Sequence, residues 1–173
     1  MSLVAATAAD VDDIVALVES AFRGEASRAG WTTEADLLDG RRTGADEIAA
    51  IVGDPGQVIL IERDAAGALL ASVNLRRDGD HAWLGMLAVR PSLQGSGTGR
   101  RVVEGAAAFA REHWGTRVMR MKVIVQRAEL IAWYERRGYR DSGERAAFPY
   151  GDARFGLPKR GDLSFVVLEK PLG

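Results

Sequence analysis

The sequence predicts an α/β fold in a single domain that spans residues 1–173, and three observations carry this prediction. A length of 173 residues is sufficient for one domain with a sizeable hydrophobic core. Apolar residues recur at helical spacing in some segments and in alternating or continuous runs in others. An apolar run at residues 86–89 passes through a glycine-rich turn into an amphipathic segment, which is the pattern of a strand that leads into a helix.

Hydrophobic spacing and helix-start signals predict the elements of the N-terminal part of the chain. Thr7 and Asp10 form a capping box, and so do Thr33 and Asp36, so a helix is expected after each pair. The predicted elements are a strand at Leu3–Ala6, a helix that continues to Arg23, a short helix that ends near Gly40, and a helix at Asp46–Val52.

The remainder of the chain is predicted to contain mainly strands, with two further helices. Turn residues at positions 65–67 and the Asp78-Gly79 pair indicate two hairpins. The predicted strands are Gln57–Arg63, Ala68–Arg76, His81–Val89, Arg117–Val125 and Leu163–Glu169, and the predicted helices are one that follows the glycines and ends near Trp114 and one at Ala128–Arg137. Phe148–Gly161 is a long irregular stretch, and loops of this length often carry function.

Composition excludes several classes of function. Lys plus Arg number 23 and Asp plus Glu 24, so the net charge of −1 gives no indication of nucleic-acid binding or of a membrane surface. The chain has no cysteine and two histidines, which excludes thiolate catalysis and argues against a metal site. The N-terminus lacks the pattern of a signal peptide, and no apolar run approaches the roughly 18 residues of a membrane span, so a cytoplasmic location is expected.

Residues 94–99 combine three glycines with the start of the amphipathic segment. Glycines let backbone N–H groups approach an anion closely, and a helix N-terminus adds partial positive charge. A P-loop is excluded because no Lys-Ser or Lys-Thr pair follows the glycines. A dinucleotide fingerprint is excluded because Val102 stands where its third glycine is required. The segment therefore predicts a phosphate-binding loop of another kind.

Two blocks of the sequence resemble a known family. Gln94-x-x-Gly97-x-Gly99, preceded by MLAVRP and followed by RRVVEGAAAFA, resembles the pyrophosphate loop of the GNAT superfamily, the acyl-coenzyme A N-acetyltransferases. Residues 129–139, ELIAWYERRGY, resemble the second GNAT signature, a helix that lies against the pantetheine arm and carries a tyrosine facing the acyl thioester. The resemblance covers residues 57–139 well.

The resemblance implies both a fold and an activity. The fold would be a mixed, mostly antiparallel, twisted sheet flanked by helices, with residues 81–125 as a right-handed crossover. The activity would be transfer of an acetyl group from acetyl-CoA to a primary amine of a small metabolite or amino acid, by direct attack in a ternary complex. Alternatives are a protein N-terminal or lysine acetyltransferase and a non-catalytic acyl-CoA-binding module. A homodimer is compatible with this assignment, and neither nucleic acid nor a membrane is expected as a partner.

The resemblance also implies roles for individual residues. Backbone groups of Leu87, Ala88 and Val89 would bind the pantetheine amides, and the Leu87 N–H would polarise the thioester carbonyl. Tyr134 would donate a proton to the departing thiolate. Arg127 stands where many relatives carry an asparagine that touches the cofactor, and it would bind the cofactor in its place. The pyrophosphate would be bound by Gln94, Gly95, Ser96, Gly97, Thr98, Gly99 and Arg100.

The acceptor site is expected in two irregular segments, residues 23–36 and 148–161, which the cofactor-binding core does not use. Their carboxylates suggest an acceptor with a positively charged amine, and nearby basic residues leave an amino acid or another zwitterion equally open. No general base is obvious, because residues 81–84 carry no carboxylate. Helix capping is an alternative explanation for some of these acidic residues. The candidate acceptor-binding residues are Glu25, Trp31, Glu34, Asp36 and Asp152.

Overall fold

The computed structural model describes residues 2–23, 27–28, 33–152 and 156–173. Its helices are α1 (Val11–Phe22), α2 (Ala45–Gly53), α3 (Thr98–Trp114) and α4 (Ala128–Glu135). Its strands are β1 (Val4–Ala5), β2 (Leu38–Asp39), β3 (Gln57–Arg63), β4 (Leu69–Asp78), β5 (His81–Val89), β6 (Val118–Ile124), β7 (Arg140–Ala147), β8 (Leu157–Pro158) and β9 (Ser164–Pro171). Short 3₁₀ turns at Ala8–Asp10 and Pro91–Leu93 precede α1 and the glycine-rich segment.

One seven-stranded sheet organises the fold, with the strand order β1-β3-β4-β5-β6-β9-β7. Neighbouring strands are antiparallel throughout, except that β5 and β6 are parallel. The connection between those two strands passes through α3, because parallel neighbours require a long crossover. The sheet is therefore mixed and mostly antiparallel, and the α/β fold class predicted from the sequence is confirmed.

Helices cover both faces of the sheet and produce two core layers. Side chains alternate along β3, so that Ile59 and Ile61 pack in a cluster with α1 and α2, whereas Leu60 packs in a cluster with α3 and α4. Each fully buried aliphatic side chain contributes about 1.5–3 kcal/mol relative to an exposed one. These two clusters pack against the sheet from both sides, and the site described below lies where the central strands β5 and β6 separate.

A β-bulge in β5 changes which side chains face α3 and α4. One residue of β4, Val73, lies opposite two residues of β5, Met86 and Leu87. Met86 has a φ of 47°, which is uncommon for any residue other than glycine. Because side chains alternate along a strand, one extra residue reverses the alternation. Leu84 before the bulge and Leu87 and Val89 after it therefore face the same side of the sheet.

The segment from Thr33 to Gly40 differs from its predicted structure. The Thr33 hydroxyl accepts a hydrogen bond from the N–H of Ala35, two residues on, so the expected capping box does not form. Asp36 pairs with Arg28 instead of serving the helix start. After a single turn the chain enters β2, which is antiparallel to β8. The predicted short helix is wrong, because side-chain bonds and strand pairing satisfy these backbone groups instead.

Candidate active site

The parallel strands β5 and β6 separate part-way along their length and leave a cavity. Their last paired residues are Trp83 and Arg120, whereas β5 continues to Val89 and β6 continues to Ile124. The outer edges are held by β4 and β9, so no strand of the described chain pairs with the inner edges beyond residue 83. A cavity of about 810 Å³ occupies this gap, and its lining includes residues of α1, α3 and α4.

The glycine-rich segment forms one end of the cavity. Gly95 and Gly97 have φ values of 85° and 89°, a left-handed conformation that glycine adopts without steric cost. Gly97 is the N-cap of α3, whose 17 residues begin at Thr98. The first N–H groups of a helix have no partner within the helix, and they carry its positive dipole end. This end of the cavity therefore suits a phosphate group.

Polar side chains brace the glycine-rich segment from behind. Arg101 donates to the Thr98 hydroxyl and to the buried carboxylate of Glu62, each at 3.3 Å. The hydroxyl groups of Thr98 and Ser96 lie 3.0 Å apart. Arg101 thus points away from the cavity, and it is Arg100 that joins the lining at this end.

Tyr134 projects from α4 into the lining with only 4% of its surface exposed. Burial raises the pKa of its hydroxyl to about 12, although Arg127 and Arg137 act in the opposite direction. Within the described residues no hydrogen bond occupies this hydroxyl. The phenol is therefore protonated across the neutral pH range and is available as a donor.

A buried carboxylate and its arginine partners lie on the α1 side of the cavity. Glu34 is 7% exposed; its Oε1 accepts a hydrogen bond from Arg23, and its Oε2 accepts one from Arg127 at 3.0 Å. Burial alone would raise the pKa of Glu34, but the guanidinium groups of Arg127, Arg23 and Arg42 hold it below its usual value. Glu34 is therefore ionised at neutral pH and is a weak base.

Arg42 is a lining residue that the sequence analysis did not identify. Its guanidinium carbon lies 5.3 Å from the centre of the Phe22 ring, at the end of α1. No spacing rule selects it, because it follows a turn that the sequence pattern assigned to the end of a helix. Among the described residues, one acidic residue, Glu34, lines the cavity together with seven basic residues. The basic residues are Arg23, Arg42, Arg76, Arg100, Lys122, Arg127 and Arg137.

The structure brings most of the predicted site residues together. Those that line the cavity are Leu87, Val89, Gln94, Gly95, Gly97, Gly99, Arg100, Arg127, Tyr134 and Glu34. Ala88 is directed into the core beneath α1, and Ser96 and Thr98 are outside the lining. Asp36 and Asp152 also lie outside it. The predictions for Glu25 and Trp31 concern positions outside the described residues.

Sequence comparison decides the family. A sequence model of the acetyltransferase (GNAT) family matches residues 13–139, which is well over half of the chain. The chain belongs to the GNAT family. It is therefore an acyltransferase, and the family implies an acyl-CoA co-substrate. No curated protein matches the chain.

Solved structures support the GNAT fold at low sequence identity. The ribosomal-protein-S18-alanine N-acetyltransferase from Escherichia coli is 14% identical with a TM-score of 0.72, covering 99% of this chain and 94% of that one. A mutant spermidine N-acetyltransferase from Vibrio cholerae is 16% identical with a TM-score of 0.69, covering 99% and 95%. Nourseothricin acetyltransferase is 23% identical with a TM-score of 0.58, covering 69% and 68%. At these identities the likeness concerns the fold alone.

The described part of the GNAT chain contains neither a candidate membrane span nor a candidate metal cluster. No helix there is both long enough and apolar enough to span a membrane. No group of three or more histidine or acidic side chains in the same residues has the arrangement of a metal site.

Proposed function

We propose that this GNAT enzyme transfers the acetyl group of acetyl-CoA to a primary amine of a small molecule, by direct attack within a ternary complex. The observation that carries the proposal is the gap between β5 and β6, which meets the N-terminus of α3 and is lined by Tyr134. A single cavity thus offers an anion-binding end, unpaired strand edges and a buried proton donor.

The groups in the gap suit the parts of acetyl-CoA. The unpaired inner edge of β5 supplies backbone donors and acceptors for the pantetheine amides, in the way that a strand edge pairs with an added peptide. The N-terminal N–H groups of α3, together with Arg100, suit the pyrophosphate. Gln94 donates to the Val89 carbonyl oxygen at 3.2 Å, which holds the end of β5 against the loop.

The transfer needs two stabilising groups at the thioester. As the amine nitrogen bonds to the acetyl carbon, negative charge develops on the carbonyl oxygen, and the backbone N–H of Leu87 would donate to it. The carbon–sulfur bond then breaks, and the Tyr134 hydroxyl would donate to the departing sulfur. The nitrogen loses one proton and the sulfur gains one, so the products are an amide and free CoA.

The acceptor has to lose its ammonium proton before attack. Glu34 is a weak base, because its arginine partners hold its pKa below the usual value. We infer that the free amine is drawn from solution or loses its proton to solvent in the cavity. The positively charged lining favours the neutral amine, because like charges lower the pKa of an ammonium group.

Steady-state kinetics and mass spectrometry test this proposal. Thiol release should depend on both acetyl-CoA and an amine, with intersecting initial-velocity patterns. Protein incubated with acetyl-CoA alone should carry no acetyl adduct, because direct attack forms no acyl-enzyme. Parallel velocity patterns with a stable acetyl adduct would contradict direct attack. Acetylation of peptide N-termini or lysines in preference to small amines would favour the protein-acetyltransferase alternative.

A further inference from the structure

The cavity has two faces with different chemistry. Val73 and Leu75 of β4 pack in the core beneath α3, so the intervening Asn74 and the following Arg76 are directed to the opposite face. Lys122 of β6 joins that face by the same alternation, since its neighbours in β6 belong to the α3 core. This face, on the α1 side, is where an acceptor would meet a thioester held between β5 and β6.

Cations outnumber carboxylates on the α1 side. Among the described residues, Glu34 is the one carboxylate in the lining, and Arg23 and Arg127 both bond to it. Arg42 is an additional cation that faces the same space. The described groups there leave an excess of positive charge next to the reacting atoms, since Arg127 is near enough to Tyr134 to influence its pKa.

Arg42 differs from Arg23 and Arg127 on this side of the cavity, because it is not bonded to Glu34. Within the described chain its guanidinium forms no ion pair, and it lies over the Phe22 ring instead. Glu19 and Glu47 lie behind it, outside the lining, and their carboxylates are engaged by the Thr43 backbone N–H at 2.7 Å and the Thr43 hydroxyl at 3.0 Å. Burial lowers the pKa of Arg42 and Arg23 lowers it further, while the carboxylates of Glu34, Glu47 and Glu19 act in the opposite direction. These carboxylates act on Arg42 from a distance, and none in the described residues pairs directly with its guanidinium, which faces the cavity.

We propose that the Arg42 guanidinium binds an oxyanion of the acceptor, so that the acceptor is a small amine that also carries a carboxylate or a phosphonate. The inference rests on the proposed acetyl transfer and names its substrate class. Guanidinium groups bind planar and tetrahedral oxyanions through paired hydrogen bonds. The anion anchors one end of the acceptor, while the surrounding positive charge keeps its amine neutral. Polyamines, which bring only positive charge, are poor acceptors on this account.

Matched acceptor pairs test the proposal. Each L-α-amino acid is compared with its carboxamide, and 2-aminoethylphosphonate is compared with ethanolamine; spermidine serves as the polyamine. The wild-type enzyme should prefer the anionic member of a pair, and the two sets of pairs distinguish carboxylate from phosphonate. Arg42→Gln should lower kcat/KM for the anionic acceptors by about 10- to 100-fold, the usual range for a hydrogen bond to a charged group. Arg42→Lys should retain part of the preference, because it keeps the charge.

Controls separate this inference from the proposed function. Arg41→Gln removes an exposed arginine that does not line the cavity, and it should change neither preference nor affinity. Acetyl-CoA affinity should be the same in all these variants. A preference for carboxamides or spermidine, or an equal loss with both members of a pair in Arg42→Gln, would overturn the oxyanion site while leaving acetyl transfer intact.

A binding measurement covers the case in which no compound in the panel is acetylated. N-acetyl-L-amino acids are titrated into CoA-saturated protein by calorimetry, because they carry the carboxylate of the product. Millimolar or tighter binding that is weakened by Arg42→Gln would support the oxyanion site. Absence of binding, or binding that Arg42→Gln leaves unchanged, would overturn it. Failure of acetyl-CoA itself to bind would instead overturn the proposed function.

Discussion

Gly99 in the first turn of α3 lies directly against the Trp133 ring of α4. A Cβ atom at residue 99 would be 3.4 Å from the ring of Trp133 and 3.6 Å from a methyl group of Val89. Three elements therefore meet at this glycine: the end of β5, the start of α3 and the helix that carries Tyr134. The end of the cavity that is proposed to bind phosphate and the proposed proton donor are therefore joined by one packing contact.

Substitutions at Gly99 should distinguish a methyl group from a larger side chain. Gly99→Ala adds a contact of ordinary van der Waals length and should leave acyl-CoA affinity close to that of the wild type. Gly99→Leu has to displace Trp133 or the start of α3, and overpacking of this kind costs about 1–3 kcal/mol. We expect a lower melting temperature and weaker acyl-CoA binding in the leucine variant. Equal effects of both substitutions would show that this contact does not position the loop.

Tyr134→Phe should lower kcat with little change in acyl-CoA affinity. The hydroxyl acts mainly as the carbon–sulfur bond breaks, and general acids contribute about 10²- to 10⁴-fold. Tyr139→Phe is the matched control, since Tyr139 is also buried, its hydroxyl has no partner in the described residues, and it does not line this cavity. Thiol release with saturating acetyl-CoA measures both. An unchanged kcat in Tyr134→Phe, with chemistry limiting the rate, would remove this residue from the mechanism.

The pH dependence of the reaction should follow the acceptor and not the enzyme. Glu34 is ionised well below neutral pH, because its pKa is lowered, and Tyr134 stays protonated up to a pKa of about 12. Neither group changes charge between about pH 6 and 10, so kcat/KM should rise as the amine deprotonates. Two acceptors with different amine pKa values should shift the midpoint accordingly. A common midpoint for both would indicate a titrating enzyme base.

Glu34→Gln should destabilise the fold strongly at neutral pH. The substitution removes a buried carboxylate that is bonded to both Arg23 and Arg127, and breaking a buried ion pair typically costs about 3–5 kcal/mol. Because the folded pKa of Glu34 lies below its usual 4.5, its contribution is present above that pH and is lost as the pH falls through the lowered value. Urea unfolding at pH 7 and at pH 3 measures the difference. Asp36→Asn, at an exposed ion pair, should change little.

The sequence was sufficient to predict the backbone of the glycine-rich end of the cavity, because a turn with positive φ values favours glycine at those positions. Gly95, Gly97 and the helix that follows were predicted from their spacing, and the structure forms them as expected. The strand β7 was not predicted, because it lies at the edge of the sheet with mostly exposed residues and so lacks apolar alternation. The bulge at Met86 was not predicted either, because it depends on how β5 is aligned with β4.

The acceptor side was less predictable because its charges come from distant parts of the chain. Glu34 was noted as a carboxylate that favours a cationic acceptor, yet it is bonded to Arg127, 93 residues away in sequence. From the sequence alone, Glu34 adds a negative charge to the acceptor site. In the folded chain its charge is balanced by bonded arginines, and Arg42 also faces the cavity. The net charge of the acceptor side of the cavity therefore depends on ion pairs between residues far apart in sequence, and not on the local composition.

Calorimetric titration with acetyl-CoA is the most direct test of acyl-CoA binding between β5 and the start of α3. Gly97→Glu places a negative charge and a side chain at a φ of 89°, at the end of the cavity that is proposed to bind pyrophosphate. Gly67→Glu is the matched control, since Gly67 has a φ of 87° in a hairpin turn outside the cavity lining and carries the same backbone strain. The account predicts that the wild type and Gly67→Glu bind acetyl-CoA alike and that Gly97→Glu loses affinity by at least about 10-fold, or 1.4 kcal/mol. No binding by the wild type, or equal affinity in the two glutamate variants, would contradict it.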